Sequence, residues 1–314
     1  MNHSISRVLI VGGTGFMGQE ISRTLREFGY EVYSLSRDWQ KVPNGYSRPC
    51  KDYFLGDAWD RDTLTSVLNK VDPLIVINCA AIKDVIWCEK VPREAHRINF
   101  ELHERLVNEC SVRGINTVFI SSDKAVDPIN IYGVSKRNAE IASIENSYGK
   151  AHHVVARYGN VWASTGSIGD YLPKAGKAKG FVDFDLRDKE STRFFWKKED
   201  CAKFILNILR DLEYFDGCIV VPVLKSVKVK YLVEEMAEFY NFKLRMSNGK
   251  KLDCEKTHES MVGKGETAFR SRVDCSKYPT LLITDRMDFA QAYNEVIQSD
   301  NFISEHLPKE LFND

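Results

Sequence analysis

The sequence predicts a doubly wound α/β fold, a parallel sheet with helices on both faces, followed by a smaller C-terminal α/β unit. Three observations carry this. Short apolar runs alternate with helical patterns through the first half of the chain. A glycine cluster separates the first apolar run from the first helix. After about residue 165 the alternation gives way to a stretch rich in Gly, Lys, Ala and Asp. Strands and helices alternating at this spacing fold as right-handed crossovers onto one sheet.

The elements follow in order. Val8 to Val11 is the first strand, and Gln19 to Phe28 a helix that Gly29 ends. Glu31 to Ser36 and Asp52 to Asp57 are the next strands, with a short helix over Asp62 to Asn69. Leu74 to Ala80 is apolar on both faces, as a central parallel strand requires. Arg93 to Arg113 is a long helix, because Ile98, Leu102, Leu106 and Cys110 recur at helical spacing, and Gly114 caps it. Thr117 to Ser121, Tyr132 to Asn146 and His153 to Arg157 then read as strand, helix and strand. Ala163 to Lys189 reads as loops. Helices are expected over Asp200 to Leu212, Val229 to Tyr240 and Asp288 to Gln298.

Length and composition set the outer bounds. The chain has 314 residues, enough for one large and one smaller domain. Lys+Arg and Asp+Glu both number 44, so it lacks the basic surplus that nucleic-acid binding favours. An anionic ligand would be held by local cations. The eight cysteines form no C-x-x-C pair and no zinc-spaced cluster, so no metal is expected and buried free thiols are. No signal-peptide pattern opens the chain, and no run reaches the roughly 18 apolar residues of a membrane span. A cytoplasmic protein without membrane or nucleic-acid partners is the expectation.

The glycine cluster has a specific form. VLIVGGTGFMGQEI carries Gly12, Gly15 and Gly18 between a strand and a helix, where a dinucleotide fingerprint sits. Glycines admit the pyrophosphate to the backbone, and the helix N-terminus offers free N–H groups and a positive dipole end. Thr14, Phe16 and Met17 in the same turn, and Ala80 and Ala81 after the buried strand, join the cofactor-contacting candidates. The fold is therefore a Rossmann-type sheet over residues 1–165, with a substrate-binding domain over 166–314. The chain is expected to return to the first domain around 190–225. Ser36 and Arg37 end the second strand, where an acid would favour NAD; arginine suits a 2′-phosphate, so NADP is expected, with NAD possible through Asp38. Asp57 is placed to reach the adenine or to cap the following turn.

The chemistry lies further on. One strand ends in Ser121-Ser122-Asp123-Lys124, and Tyr132 and Lys136 follow at helical i, i+4 spacing. A lysine cation beside a tyrosine lowers the phenol's pKa and readies it to take a proton from a hydroxyl. Asp123 and Lys124 offer an acid and a base side by side; a surface ion pair is the plainer alternative.

SSDKAVDPINIYGVSKRNAE resembles the active-site segment of C5-inverting UDP-N-acetylglucosamine 4,6-dehydratases. These belong to the polysaccharide-biosynthesis nucleotide-sugar dehydratases and epimerases, within the extended short-chain dehydrogenases/reductases. The resemblance covers most of the chain. NCAAIKDVIWCE is similar to a segment that puts Lys83 and Glu89 near the sugar. ARYGNVWASTGSI resembles the family's substrate strand and covers Arg157, Tyr158 and Asn160, while STRFFW covers Thr192 and Arg193. Asn99 joins these substrate-side candidates. The resemblance implies that Tyr132 takes the O4 proton while C4 gives up hydride, Lys124 removes the C5 proton, and Asp123 protonates the departing C6 hydroxyl. Lys136 would hold the nicotinamide ribose, and hydride would return to C6. Homo-oligomers are common in this fold.

The departures fall on the substrate side. Ser164-Thr165-Gly166-Ser167 lacks the family's arginine. The family's Arg-Pro-Gly-Glu-Lys-Leu-His-Glu stretch matches either 247–254, where Lys250 and Lys251 would neutralise a diphosphate, or a displaced remnant at Glu255-Lys256-Thr257-His258-Glu259. His258 reads as solvated, and at least two of Trp162, Phe194, Phe195 and Trp196 as core. Two other functions remain open: a UDP-sugar 4-epimerase, and a non-catalytic dinucleotide-binding protein. The joint presence of Asp123, Lys124, Tyr132 and Lys136 argues against the latter.

Overall fold

The computed structural model describes residues 6–42, 49–147 and 149–285. The helix expected over Asp288 to Gln298 lies outside them. The first half alternates as the sequence predicts: β1 (Arg7–Val11), α1 (Phe16–Glu27), β2 (Glu31–Ser36), β3 (Asp52–Leu55), α2 (Arg61–Val71) and β4 (Ile75–Asn78). Next come α3 (Val85–Lys90) and a helical run of α4 (Pro92–His96), a π-helical turn (Arg97–Glu101) and α5 (Leu102–Arg113). The sequence reads that run as one α-helix; the π turn widens it where Asn99 turns inward to bond Ile82. Gly114 closes it in the left-handed region at φ 70.

β5 (Asn116–Ile120), α6 (Ile131–Glu145), β6 (His153–Ala156) and β7 (Asn160–Val161) follow. The segment read as loops instead forms α7 (Ile168–Lys179) and β8 (Phe181–Leu186). The inward stripe of α7 is Gly169, Leu172 and Gly176, so two of its three buried positions carry no side chain to mark them. Gly176 has to be glycine because an added Cβ would lie 2.5 Å from the Phe242 ring. The rest is β9 (Thr192–Trp196), α8 (Lys198–Arg210), α9 (Leu212–Phe215), β10 (Ile219–Pro222), β11 (Ser226–Lys228), α10 (Val229–Phe239), β12 (Lys243–Asn248), β13 (Ala268–Arg270) and β14 (Thr280–Ile283).

The large sheet has the order β13-β14-β10-β6-β5-β4-β1-β2-β3. It is parallel from β3 to β10, and β14 and β13 add antiparallel. Strand order reverses between β1 and β4, which opens a crevice at their C-terminal ends. β10, β13 and β14 all come from beyond residue 165, the point at which the sequence suggests a second domain begins. A second core of Trp162, Leu172, Phe195, Leu232, Met236 and Phe242 lies beneath the parallel β8–β12 pair and α10. Trp196, fully buried, packs on Tyr158 and Phe204, so the Phe-Phe-Trp run is largely core.

Polar groups are also buried here. The Arg157 guanidinium donates to Glu140 of α6 at 2.6 Å and to Glu266 at 2.6 Å, and bonds the Met261 carbonyl at 3.0 Å. Arg137 reaches the same two carboxylates, and Ser121 donates to Glu140 at 2.6 Å. His103, held by Ser143 at 2.7 Å, is pulled down to about 3 by burial, and His153, beside Thr117 at 2.8 Å, to about 4.

Both histidines are thus neutral in the fold but bind protons below about 6.5 when unfolded. Their contribution is complete above pH 6.5 and is lost as pH falls towards about 4 and then about 3. Urea unfolding at pH 7 and pH 5 is expected to differ by up to about 4 kcal/mol from this source. Stability unchanged or higher at pH 5 would contradict it.

Candidate active site

The glycine turn is built by close approach. Gly12 sits at φ 83, and a Cβ there would lie 2.9 Å from the Ala80 nitrogen. Only glycine lets the β1 turn rest on the end of β4. Gly18 packs its α-carbon against the Gly12 carbonyl, bringing α1 onto the turn. The Gly12 nitrogen donates to the Leu35 carbonyl at 2.8 Å, and the Thr14 nitrogen to the Ser36 hydroxyl at 3.2 Å. Ser36 therefore clamps the loop from behind. Arg37 stands half-exposed, 3.9 Å from Asp57. Asp38 is taken by Lys41 at 3.0 Å and the Gln40 nitrogen. Asp57 also accepts from the Trp59 nitrogen at 3.0 Å, as a turn cap does.

A cleft of about 780 Å³ runs from this turn to the middle of the molecule. Gly12, Thr14, Gly15, Phe16, Met17, Gly18 and Ala81 line one end, and Lys83, Ser122, Lys124, Tyr132, Lys136 and Asn160 the other. Ala80 forms the floor beneath Gly12. A second cavity of about 480 Å³ opens beyond, bordered by Arg187, Arg193, Lys251, Lys256 and Glu259. Lys124 and Asn160 border both, so the two meet there.

α6 begins at this junction. Asn130 caps it by accepting from the Gly133 nitrogen at 2.7 Å. Gly133 lies so close to the Lys124 carbonyl that no side chain fits between them. That contact sets Tyr132 beside the Asp123–Ala125 turn. The Tyr132 phenol is pushed up to about 12 by burial, against an opposing pull from Lys124 and a hydrogen bond with Ser122. Lys124 thus acts on the Tyr132 phenol, a part the sequence gives to Lys136. The i, i+4 spacing holds, but Lys136 reaches across to donate to the Ile120 carbonyl at 2.7 Å and lies over the Phe119 ring. Burial pulls Lys136 down to about 8. Asp123, 1% exposed, accepts from Ser122 at 2.9 Å and pairs with Lys124 at 3.2 Å, which excludes the plain surface pair.

The substrate-side candidates divide. Lys83 lines the first cleft and donates to the Thr165 carbonyl at 2.8 Å; burial pulls its ammonium down, with Asp170 and Asp84 opposing. Asn160 donates to the Phe194 carbonyl at 3.0 Å at the junction. Arg193 lines the second cavity and bonds the Thr257 carbonyl at 3.0 Å. Lys251 lines it too, paired with Asp188 at 3.3 Å. Glu89, by contrast, accepts from the Ile131 nitrogen at 2.7 Å and serves the start of α6. Asn99 is spent on both backbone groups of Ile82. Lys250 borders neither cavity. Arg157 belongs to the buried array with Glu140 and Glu266.

Residues 255–259, the alternative match to the family's stretch, border the second cavity through Glu255, Lys256 and Glu259. Glu255 pairs with Arg187 at 2.9 Å, and His258, exposed, meets the Thr192 hydroxyl at 3.0 Å. Glu259 lies 3.6 Å from the Lys124 ammonium. Sequence reading did not single out Glu259 or Ser122 as site residues. Ser122 stands in the Ser-Ser-Asp-Lys run, and Glu259 ends the remnant. Among the described residues no cluster of His, Cys, Asp and Glu is arranged to hold a metal, and no helix is long and apolar enough to cross a membrane.

Residues 8–278 match the family described as polysaccharide biosynthesis protein. The chain belongs to this family. Within it, the inverting UDP-N-acetylglucosamine 4,6-dehydratase of Campylobacter jejuni is 30% identical over 271 residues, covering 83% of this chain and 78% of that one. The UDP-glucose 4-epimerase of Rickettsia bellii is 29% identical over 276 residues, covering 83% and 79%. The solved structure of the Thermus thermophilus UDP-glucose 4-epimerase in complex with NAD shares the fold, with a TM-score of 0.67 at 20% identity over 81% of this chain and 89% of that one. This polysaccharide-biosynthesis family member therefore has both nucleotide-sugar dehydratases and epimerases among its relatives.

Gly133→Ala forces α6 away from the Lys124 carbonyl, which is backbone and cannot swing aside. Urea denaturation is expected to give a loss of about 1–3 kcal/mol at unchanged m. A loss below about 0.5 kcal/mol would mean that the close approach is not a constraint.

Proposed function

We propose that this chain is a C5-inverting nucleotide-sugar 4,6-dehydratase, a lyase, acting on UDP-N-acetylglucosamine with NADP. One observation carries the reading: Asp123 and Lys124 stand side by side, with Tyr132 next to them, where the glycine-turn cleft meets the second cavity. Elimination of water across C5 and C6 needs an acid and a base there, a pair that C4 epimerisation, with a base at O4 alone, does not need.

The cleft fits a dinucleotide, because Gly12 leaves no room for a Cβ and α1 begins at the turn with free N–H groups. Gly12, Thr14, Gly15, Phe16, Met17, Gly18 and Ala81 would hold it, with Arg37 at the end of β2 favouring the 2′-phosphate. Bound there, a nicotinamide would supply an acceptor for the C4 hydride and a donor of hydride for C6.

The chain's own residues do the rest. Tyr132 takes the O4 proton as C4 becomes a ketone. The ketone acidifies the C5 proton, and Lys124 removes it. The proton that Lys124 takes passes to Asp123, 3.2 Å away, and on to the C6 hydroxyl, which leaves as water. C5 then takes a proton from solvent on the opposite face as hydride reaches C6, and the proton that Tyr132 took from O4 returns to solvent. Lys136 steadies the end of β5 through the Ile120 carbonyl and orients the cofactor's ribose. Lys83, Asn160, Arg193 and Lys251 hold the sugar nucleotide, the cations acting on its diphosphate.

Lys124→Ala separates the steps. Elimination is expected to fall by at least about 10²-fold, while reduced nicotinamide still forms when the sugar nucleotide is added. Water loss within twofold of native would remove Lys124 as the base. A C4 epimer with no water lost by the native protein would instead support the 4-epimerase reading, which the Rickettsia relative favours.

A further inference from the structure

The Lys124 amine is gripped from two sides. Asp123 Oδ1 lies 3.2 Å away on the same turn, and Glu259 Oε1 lies 3.6 Å away on the segment that borders the second cavity. The Glu259 side chain is 4% exposed. Its other oxygen lies 3.6 Å from the Lys256 ammonium and accepts no hydrogen bond. Burying a carboxylate with so little hydrogen bonding is costly by several kcal/mol of desolvation, roughly. Yet the proposed chemistry already has its acid, base and phenol, and none of them is Glu259.

The charged and titratable groups facing Lys124 come from four elements. Asp123 and Glu259 favour its protonated form, as does Tyr132 of α6, while Arg193 of β9 disfavours it. Burial opposes the charge most strongly of all, yet the Lys124 ammonium ends above its ordinary value because the carboxylates outweigh burial and Arg193 together. Taking the C5 proton requires a neutral amine: the C–H electron pair stays on carbon, and the proton goes to Nζ. A carboxylate at 3.6 Å therefore acts directly on the availability of the base.

The segment that brings Glu259 is anchored at both ends. The Asn130 amide donates to the Cys254 carbonyl at 2.9 Å, and Glu266 is bound to the buried Arg157 at 2.6 Å. Glu259 is thus delivered to the junction by the fold and is not a surface acid that drifted near a lysine.

We propose that Glu259 is a positioning residue that holds the Lys124 nitrogen at the junction of the two cavities and sets the pH above which Lys124 works as a base. This rests on the dehydratase reading, in which Lys124 takes a proton from the sugar. Removing the negative charge makes Lys124 lose its proton more readily, so its transition moves to lower pH.

The test is acylation of Lys124 by trace acetic anhydride across a pH series, read by mass spectrometry of the peptide, in native protein, Glu259→Gln and Glu259→Asp. The labelling midpoint is expected to fall by about one pH unit in Glu259→Gln, and by less in Glu259→Asp, which keeps the charge but withdraws it. An unmoved midpoint in a Glu259→Gln protein with native circular dichroism overturns the proposal. If Glu259→Gln does not fold, an unmoved midpoint in Glu259→Asp does the same. The acid limb of kcat/KM for UDP-N-acetylglucosamine is then expected to move down with the label, and a fixed limb beside a shifted label overturns the proposal. A shifted label in a protein that, when native, turns over no sugar nucleotide keeps Glu259 in its place beside Lys124 and overturns the dehydratase reading instead.

Discussion

The Arg157 guanidinium, with no side-chain exposure, joins Glu140 of α6 to Glu266 of the C-terminal segment. Arg137 closes the array from outside, and Ser121 ties it to the end of β5. Replacing such an array with apolar side chains is often neutral, but removing one member leaves a buried charge unpaired, at about 3–5 kcal/mol. Its effect here is geometric. α6 carries Tyr132 and Lys136, the end of β5 leads into Asp123 and Lys124, and the segment ending at Glu266 carries Glu259. One buried cation thus fixes how a C-terminal segment, distant in sequence, meets the neighbouring β5 end and α6 at one cleft.

Two contacts with no room for a side chain complete the arrangement. Gly12 lays the β1 turn on the end of β4, at the place where strand order reverses. Gly133 lays the first turn of α6 on the Lys124 carbonyl. The first sets the glycine turn at that crevice, and the second brings the Tyr132 phenol to Asp123 and Lys124. The two clefts then share Lys124 and Asn160 as a common wall.

Much of this was legible in the sequence, and the reasons are physical. β4 is apolar on both faces because a central parallel strand touches helices on both sides, so its run stands out. The glycine turn and the Asp123–Lys136 stretch are local, and local spacing survives in the sequence. α7 was hidden because its buried stripe is mostly glycine, which helix propensity counts against. The resemblance set Glu89 near the sugar and Asn99 joined the substrate-side candidates, yet Glu89 bonds the Ile131 nitrogen and Asn99 both backbone groups of Ile82, which a motif does not reveal. The cation near Tyr132 was misplaced because the spacing of Lys136 fixes its helix face but not which group its ammonium reaches. Glu259 and the role of Arg157 depend on contacts between remote segments. The 255–259 stretch was visible as one of two matches, but its place beside Lys124 was not.

The claim at the centre is that this cleft removes water from a nucleotide sugar. The direct measurement is mass spectrometry and NMR of the sugar nucleotide after the native protein is incubated with UDP-N-acetylglucosamine in deuterated water. The account predicts a product that has lost one water and carries deuterium at an inverted C5. Recovery of the sugar nucleotide at its original mass, with no deuterium at C5, would contradict it.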